Sequence, residues 1–96
     1  MLYALICNDR PNSVELRQKT RPEHLAYLAT LGDAVKLAGP FLNDAGDSVG
    51  TLMVIEAADQ STAETIAADD PYKKAGLFAS VEIRPWRWVL KNPEAK

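Results

Sequence analysis

The 96-residue chain sets 11 Lys and Arg against 13 Asp and Glu, a formal net charge of −2, with 47% hydrophobic residues. That size gives a modest core and one domain, over residues 1–96. No apolar run approaches the roughly 18–20 residues of a membrane-spanning helix, no basic cluster offers nucleic acid a footprint, and a single cysteine, Cys7, excludes an internal disulfide or a cysteine-based zinc cluster within one chain.

Residues 2–8 form an apolar run bounded by Asp9, Arg10 and Pro11, which predicts a central strand with Cys7 as a buried thiol. With no basic leader before that run and no small-residue cleavage site after it, the chain is expected to be soluble and in the cytoplasm. Asn12 or Ser13 caps a helix from Val14, with Glu15 in its first turn. Pro22 is expected to interrupt that helix, giving a short helix, a kink and a fresh start over 22–31 with Thr20 or Arg21 as its cap. In the second piece Leu25, Leu28 and Leu31, with Ala29, lay one stripe against a sheet, and Gly32 ends it.

Residues 34–43 read as a strand broken by Gly39-Pro40, 43–48 as a hairpin connection, and 49–57 as the antiparallel partner. Ser61 or Thr62 caps the next helix, with Glu64 in capping-box position and Ala63, Ile66 and Ala67 facing inward. That helix stops at Asp69-Asp70-Pro71. A new capped turn then begins at Asp70-Pro71, runs through Tyr72, Lys73 and Lys74, and closes at Gly76. The last strand is expected over 77–90, with a bulge or edge position at Pro85, where parity passes from Val81 and Ile83 to Trp86 and Trp88. Residues 91–96 read as a frayed polar end.

Strand, helix, strand, strand, helix, strand predicts an α+β ferredoxin-like sandwich (β-α-β-β-α-β), helices on one face of a four-stranded antiparallel sheet. The first strand is apolar in both parities, so the uncovered sheet face is expected to pack on a second copy as a homodimer.

His24, the only histidine, shares a helix side with Leu28 and Leu31 and points into the sandwich, as a satisfied boundary residue or as a general acid/base. Asp70 reads as a helix cap that can also orient His24 from the neighbouring helix. Arg17 and Arg21 are four apart and Arg21 is three before His24, so one or both are placed to line the mouth of the same pocket and hold a carboxylate or phenolate; Arg21 ranks first, since a solvated helix face is the simpler explanation for Arg17. Ser48 is a hairpin residue, and Gly39-Pro40 is a turn or bulge that also suits a backbone close to a ligand. Tyr27, Tyr72, Phe41, Phe78, Trp86 and Trp88 wall a small aromatic pocket or fill core and interface. No phosphate loop, metal-spaced histidine set or Cys/His pair is present, so neither metal nor cofactor is expected; a haem or flavin reading draws little support.

The run Arg21-Pro22-Glu23-His24-Leu25-Ala26-Tyr27-Leu28, then Ala38-Gly39-Pro40, then Asp69-Asp70-Pro71-Tyr72 with Gly76-Leu77, resembles the YciI-like family over essentially the whole chain. The resemblance implies a ferredoxin-like subunit that pairs through its sheets into a dimeric α/β barrel, akin to the muconolactone isomerase type of assembly. It implies that His24 and Asp70 form the family's His-Asp pair in a cleft, with Arg21 as the arginine before the histidine and Ser48 as a small polar residue near the cleft; Gly39, Pro40 and Tyr72 join them as substrate-binding positions. One related branch removes chloride from a chlorinated hydroxyquinol. The implied activity is therefore cofactor-free, lyase- or isomerase-like acid/base chemistry on a small hydroxylated or anionic metabolite, the alternative being a non-catalytic dimeric small-molecule-binding or accessory domain.

Overall fold

The computed structural model describes residues 1–95, so of the polar end expected at 91–96, Lys96 lies outside the described residues. Its elements are β1 (Leu2–Asp9), α1 (Val14–Leu31), a 3-10 turn (Gly32–Ala34), β2 (Val35–Leu42), β3 (Ser48–Glu56), α2 (Gln60–Asp69), α3 (Pro71–Lys74) and β4 (Phe78–Trp86). The sheet runs β2-β3-β1-β4, every neighbouring pair antiparallel, which is the ferredoxin-like α+β order. β1 is central, as its unbroken apolar run requires.

Side chains alternate across a strand, and the parity containing Tyr3, Leu5, Cys7, Met53 and Ile55 packs against Ala63 and Ala67 of α2 and Tyr72 of α3, with Leu16 and Leu28 of α1 beside them. The helices therefore share one face. The opposite parity, with Ala4, Ile6, Leu52, Val54, Leu37, Phe41 and Trp86 in register, makes the second face. Lys36 of β2 pairs with Glu94 at 2.9 Å, so the segment after β4 returns across the sheet width to the opposite edge.

Four expectations are corrected. First, α1 is continuous through Pro22, and Thr20 and Arg21 are interior residues rather than caps. Pro22 deprives only the carbonyl of residue 18 of a partner, and both Pro22 and Gln18 are exposed, where water can take that place. The buried face of α1 is Arg17, Thr20 and His24, while Leu25 is 45% exposed, so the leucine stripe does not face the sheet as a unit.

Second, Asp59 caps α2, accepting Thr62 N–H at 2.8 Å and Thr62 Oγ1 at 2.7 Å, in place of Ser61 or Thr62. Third, β2 is unbroken at Gly39-Pro40, which pair with Leu52 and Thr51; the irregularities fall at Val35/Leu37 and Phe41/Leu42. Fourth, β4 ends at Trp86 instead of Leu90 and keeps register through Pro85, opposite Tyr3, the shift lying at Asn8/Asp9. β2 and β4 are both edge strands, whose outward side needs no donor, so each tolerates a proline. The expected edge position of Pro85 holds and the bulge there does not. No described helix is long and apolar enough to cross a membrane.

Gly32 ends α1 with φ 55, a conformation that favours glycine. Gly50 is required for a different reason: a Cβ there would lie 2.5 Å from the Cys7 carbonyl oxygen and 3.0 Å from Phe41 Cδ2. Gly50→Ala is expected to destabilise the protein by about 1–3 kcal/mol through backbone displacement; an unchanged midpoint in chemical denaturation would contradict the packing at this crossing.

Burial, with Asp70 and Asp9 adding to it and Arg17 opposing, pushes the Cys7 thiol from 9.0 up to about 12. Because the folded state holds this proton more tightly than the unfolded chain, the contribution is complete below the unfolded value and is lost as pH rises from 9.0 to about 12. The stability difference between wild type and Cys7→Ala should accordingly shrink over that window, as read by denaturant titration at successive pH values; a constant difference would mean the thiol is not held in this environment.

Candidate active site

Residues 17, 20 and 24 fall on one side of α1 at helical spacing, and all three are buried. Opposite them stands the start of α3. Asp70 accepts the Tyr72 N–H at 2.9 Å, closing the first turn of a helix that Pro71 opens, and the same oxygen, Oδ1, meets His24 Nδ1 at 2.8 Å. A carboxylate only accepts, so Nδ1 carries the hydrogen and donates it, which leaves the lone pair of a neutral ring on Nε2. Nε2 has no partner among the described residues, yet no buried side-chain nitrogen or oxygen goes unpartnered. It therefore opens onto the adjoining cavity, which His24 lines.

Tyr72 enters this face as a wedge. Its ring stacks on the His24 imidazole, centroids 4.0 Å apart and planes at 16°, while Arg17 Cζ lies 4.6 Å from the ring centre and Phe78 meets the ring edge-on at 5.9 Å. Residues seven apart on a helix are separated by about 10.5 Å along the axis, room for one aromatic ring between two planar groups.

Arg17 is held from behind. Nε donates to Asp9 Oδ2 at 2.7 Å, and Nη2 donates to Asp9 Oδ1 at 3.0 Å and to Thr51 Oγ1 at 2.8 Å. Burial works against the guanidinium charge, but hydrogen bonding and attraction from Asp9 outweigh it and hold Arg17 above its ordinary value. Burial raises the Tyr72 phenol, with Asp70 adding to it and the charges of Arg17 and Arg21 opposing, so at neutral pH Tyr72 is an uncharged hydroxyl.

The cavity, about 390 Å³, lies between α1 and the β2–β3 hairpin. It exists because α2 packs toward β4 and β1 while α3 packs against α1 and α2, leaving the β2 side of the sheet largely uncovered. Arg21, His24, Leu25 and Leu28 form the α1 wall, Ala38, Gly39 and Pro40 with Asp47, Ser48 and Thr51 form the hairpin wall, and Tyr72 and Arg17 close the inner end. A neutral imidazole with its lone pair toward this space can take a proton, and a fixed carboxylate behind it stabilises the imidazolium that results. Among the described residues, no group of three or more His, Cys, Asp and Glu side chains is placed to hold a metal ion.

A model of the YCII-related domain matches residues 1–87. The chain belongs to that family. It is 35% identical to Protein YciI of Escherichia coli O6:H1, an alignment covering 94% of this chain and all of the relative. Among solved structures it is similar to 5-chloro-2-hydroxyhydroquinone dehydrochlorinase from Burkholderia phenoliruptrix AC1100, solved in complex with 2,5-dihydroxybenzoquinone, with a TM-score of 0.84 and 33% identity over 91% of this chain and 94% of that one. A NIPSNAP family protein from Agrobacterium tumefaciens, at 18% identity and a TM-score of 0.57 over 98% and 97% of the two chains, shares the fold alone.

Within this YCII-related chain the residues singled out in the sequence come together: His24 touches Asp70, and Arg21, Gly39, Pro40, Ser48 and Tyr72 line one cavity. Of the six aromatic residues considered for its wall, only Tyr72 lines it. Tyr27 donates to the Ile66 carbonyl at 2.8 Å, Phe78 is core, Phe41 packs at Gly50 on the opposite sheet face, and Trp86 and Trp88 contact each other.

The reading of Arg17 as solvated is wrong, since it is 6% exposed, whereas Arg21 is on the exposed rim. The alternative place of Arg17 at the pocket is the one that holds, and Asp9 and Thr51 beside it were missed. The signal that would have found Arg17 is its spacing of seven from His24, which puts both on one helix side.

Proposed function

We propose that this protein is a small acid/base enzyme, lyase- or isomerase-like, acting on a hydroxylated and anionic aromatic or quinoid metabolite. The observation that carries the reading is the His24–Asp70 contact, made with the free imidazole nitrogen turned to a cavity of small-molecule size. His24 Nε2 removes a proton from substrate carbon or hydroxyl. Asp70 keeps Nδ1–H in place and offsets the positive charge that forms, and the proton returns to another substrate atom or leaves with a departing anion. Arg21 at the rim draws anionic substrate toward the cavity, with Ser48 and the Gly39-Pro40 backbone as the facing wall. The 33% identity to a dehydrochlorinase solved with a dihydroxybenzoquinone supports this class of reaction and ligand.

The test is deuterium incorporation and chloride release on a panel of hydroxylated and chlorinated hydroquinones in D2O. His24→Gln should lower the rate by about a hundredfold or more. Asp70→Asn should keep the helix cap and the folded state while losing at least about tenfold in rate, whereas Asp70→Ala should also cost about 1 kcal/mol of stability. A His24→Gln protein exchanging as fast as wild type would end the reading.

The same proposal includes a homodimer formed through the second sheet face, in the manner of a dimeric α/β barrel. Leu37, Phe41 and Trp86 are exposed large apolar side chains on that face, an arrangement that favours burial against a second copy. Sedimentation at micromolar concentration should give a dimer, and Ile6→Lys, directed at that face, should give a monomer; a wild-type monomer removes the barrel.

A further inference from the structure

We infer that Arg17 is the anion-binding residue of this cavity, holding a carboxylate or phenolate oxygen of the ligand across the Tyr72 ring from His24. The inference deepens the acid/base reading and rests on it for the premise that the cavity takes a small molecule.

A guanidinium has five N–H donors in a rigid plane. Three are used: one on Nε and two on Nη2 go to Asp9 Oδ2, Asp9 Oδ1 and Thr51 Oγ1. The two on Nη1 close no well-formed hydrogen bond among the described residues, although the guanidinium is near enough to the Tyr72 hydroxyl to interact with it weakly. Arg17 is only 6% exposed, and yet no fully buried side-chain nitrogen lacks a partner, so Nη1 keeps some access to the outside, and the space that Arg17 lines is the cavity. Donors held at a nearly buried guanidinium strengthen on meeting an anionic acceptor, because little water competes for them.

Two features make Nη1 a built subsite. The Asp9 fork and Thr51 hold the guanidinium from one edge and the Tyr72 face supports it at 4.6 Å, so the spare donors are aimed before a ligand arrives. Arg21, by contrast, is exposed and makes no ion pair among the described residues, which suits attraction at the rim but not fixed geometry.

The position also sets ligand length. Arg17 and His24, seven residues apart on α1, both contact the Tyr72 ring, so their free nitrogens make two separated points of contact for one ligand. The class that fits is a planar ring acid carrying its anionic oxygen at one end and its transferable proton at the other.

The test uses 4-hydroxybenzoate and its uncharged counterpart 4-hydroxybenzamide, titrated into the intact protein with NMR detection of Arg17 Nε–H and His24 Cε1–H. The acid should bind about tenfold or more tightly than the amide and move both signals. Arg17→Lys should erase that preference, whereas Arg21→Gln, which removes only attraction at the rim, should weaken it without erasing it.

Lost preference in Arg21→Gln, preserved preference in Arg17→Lys, or no binding of the acid to wild type overturns the inference. Should Arg17→Lys fail to fold, the wild-type titration decides alone: a bound acid that leaves Arg17 Nε–H unmoved overturns it. Anion binding through Arg17 in a protein that exchanges no deuterium upholds this inference while the acid/base reading fails.

Discussion

One carboxylate oxygen ties the backbone of this protein to its chemistry. Asp70 Oδ1 accepts the Tyr72 N–H that starts α3 and the Nδ1–H of His24 from α1. Capping and orientation both need an acceptor, and one oxygen with two lone pairs serves both. The relation between α1 and α3 is therefore set at the site itself. Tyr72, two residues after that oxygen, is delivered between Arg17 and His24 as a consequence, because the turn that Asp70 caps fixes where its ring projects.

This arrangement explains why α1 buries polar side chains. A helix packed on a sheet normally turns an apolar stripe inward, but here the most buried residues of α1 are Arg17, Thr20 and His24, with Leu16 and Leu28 only partly buried beside the core and Leu25 exposed. Buried ion pairs add little net stability, since desolvation offsets most of the attraction. The apolar burial comes mainly from β1, β3, α2, α3 and the turn before β4, through Leu5, Ile55, Met53, Ala63, Tyr72 and Leu77. α1 is thus held by directional contacts, Asp9 to Arg17 and Asp70 to His24, and the space left between it and the β2–β3 hairpin becomes the cavity.

The same distinction decides what the sequence reveals. Apolar runs and capping residues act locally, so the strand–helix order, the central place of β1 and the Asp70-Pro71 helix start are legible from the chain, while the approach of His24 to Asp70 is only offered by the adjacency of their helices and implied by the family resemblance. Pro22 misleads because the lost hydrogen bond falls on the solvent side of α1, where water replaces it. Arg17 misleads because charge suggests solvent, and only the tertiary approach of Asp9 and Thr51 makes its burial tolerable. Asp59 is overlooked as a cap because Ser61 and Thr62 offer the same chemistry nearby, and the choice among them depends on how the chain leaves β3. The end of β4 at Trp86 depends on how far β1 extends as a partner, since Leu2 pairs with Trp86 and the strand opposite has no further residues to offer.

β3 joins the two faces of the sheet. Thr51 points to the helical side and hydrogen-bonds Arg17, while Gly50 and Leu52 on either side of it belong to the opposite parity. At Gly50 there is no slack: the Cys7 carbonyl approaches from β1 and the Phe41 ring from β2, closer than any added Cβ tolerates. Phe41, Gly50 and Thr51 therefore join the second face to the residue that accepts from Arg17 Nη2 within one short stretch of packed sheet, so the strand that lies under one face also forms the back of the cavity.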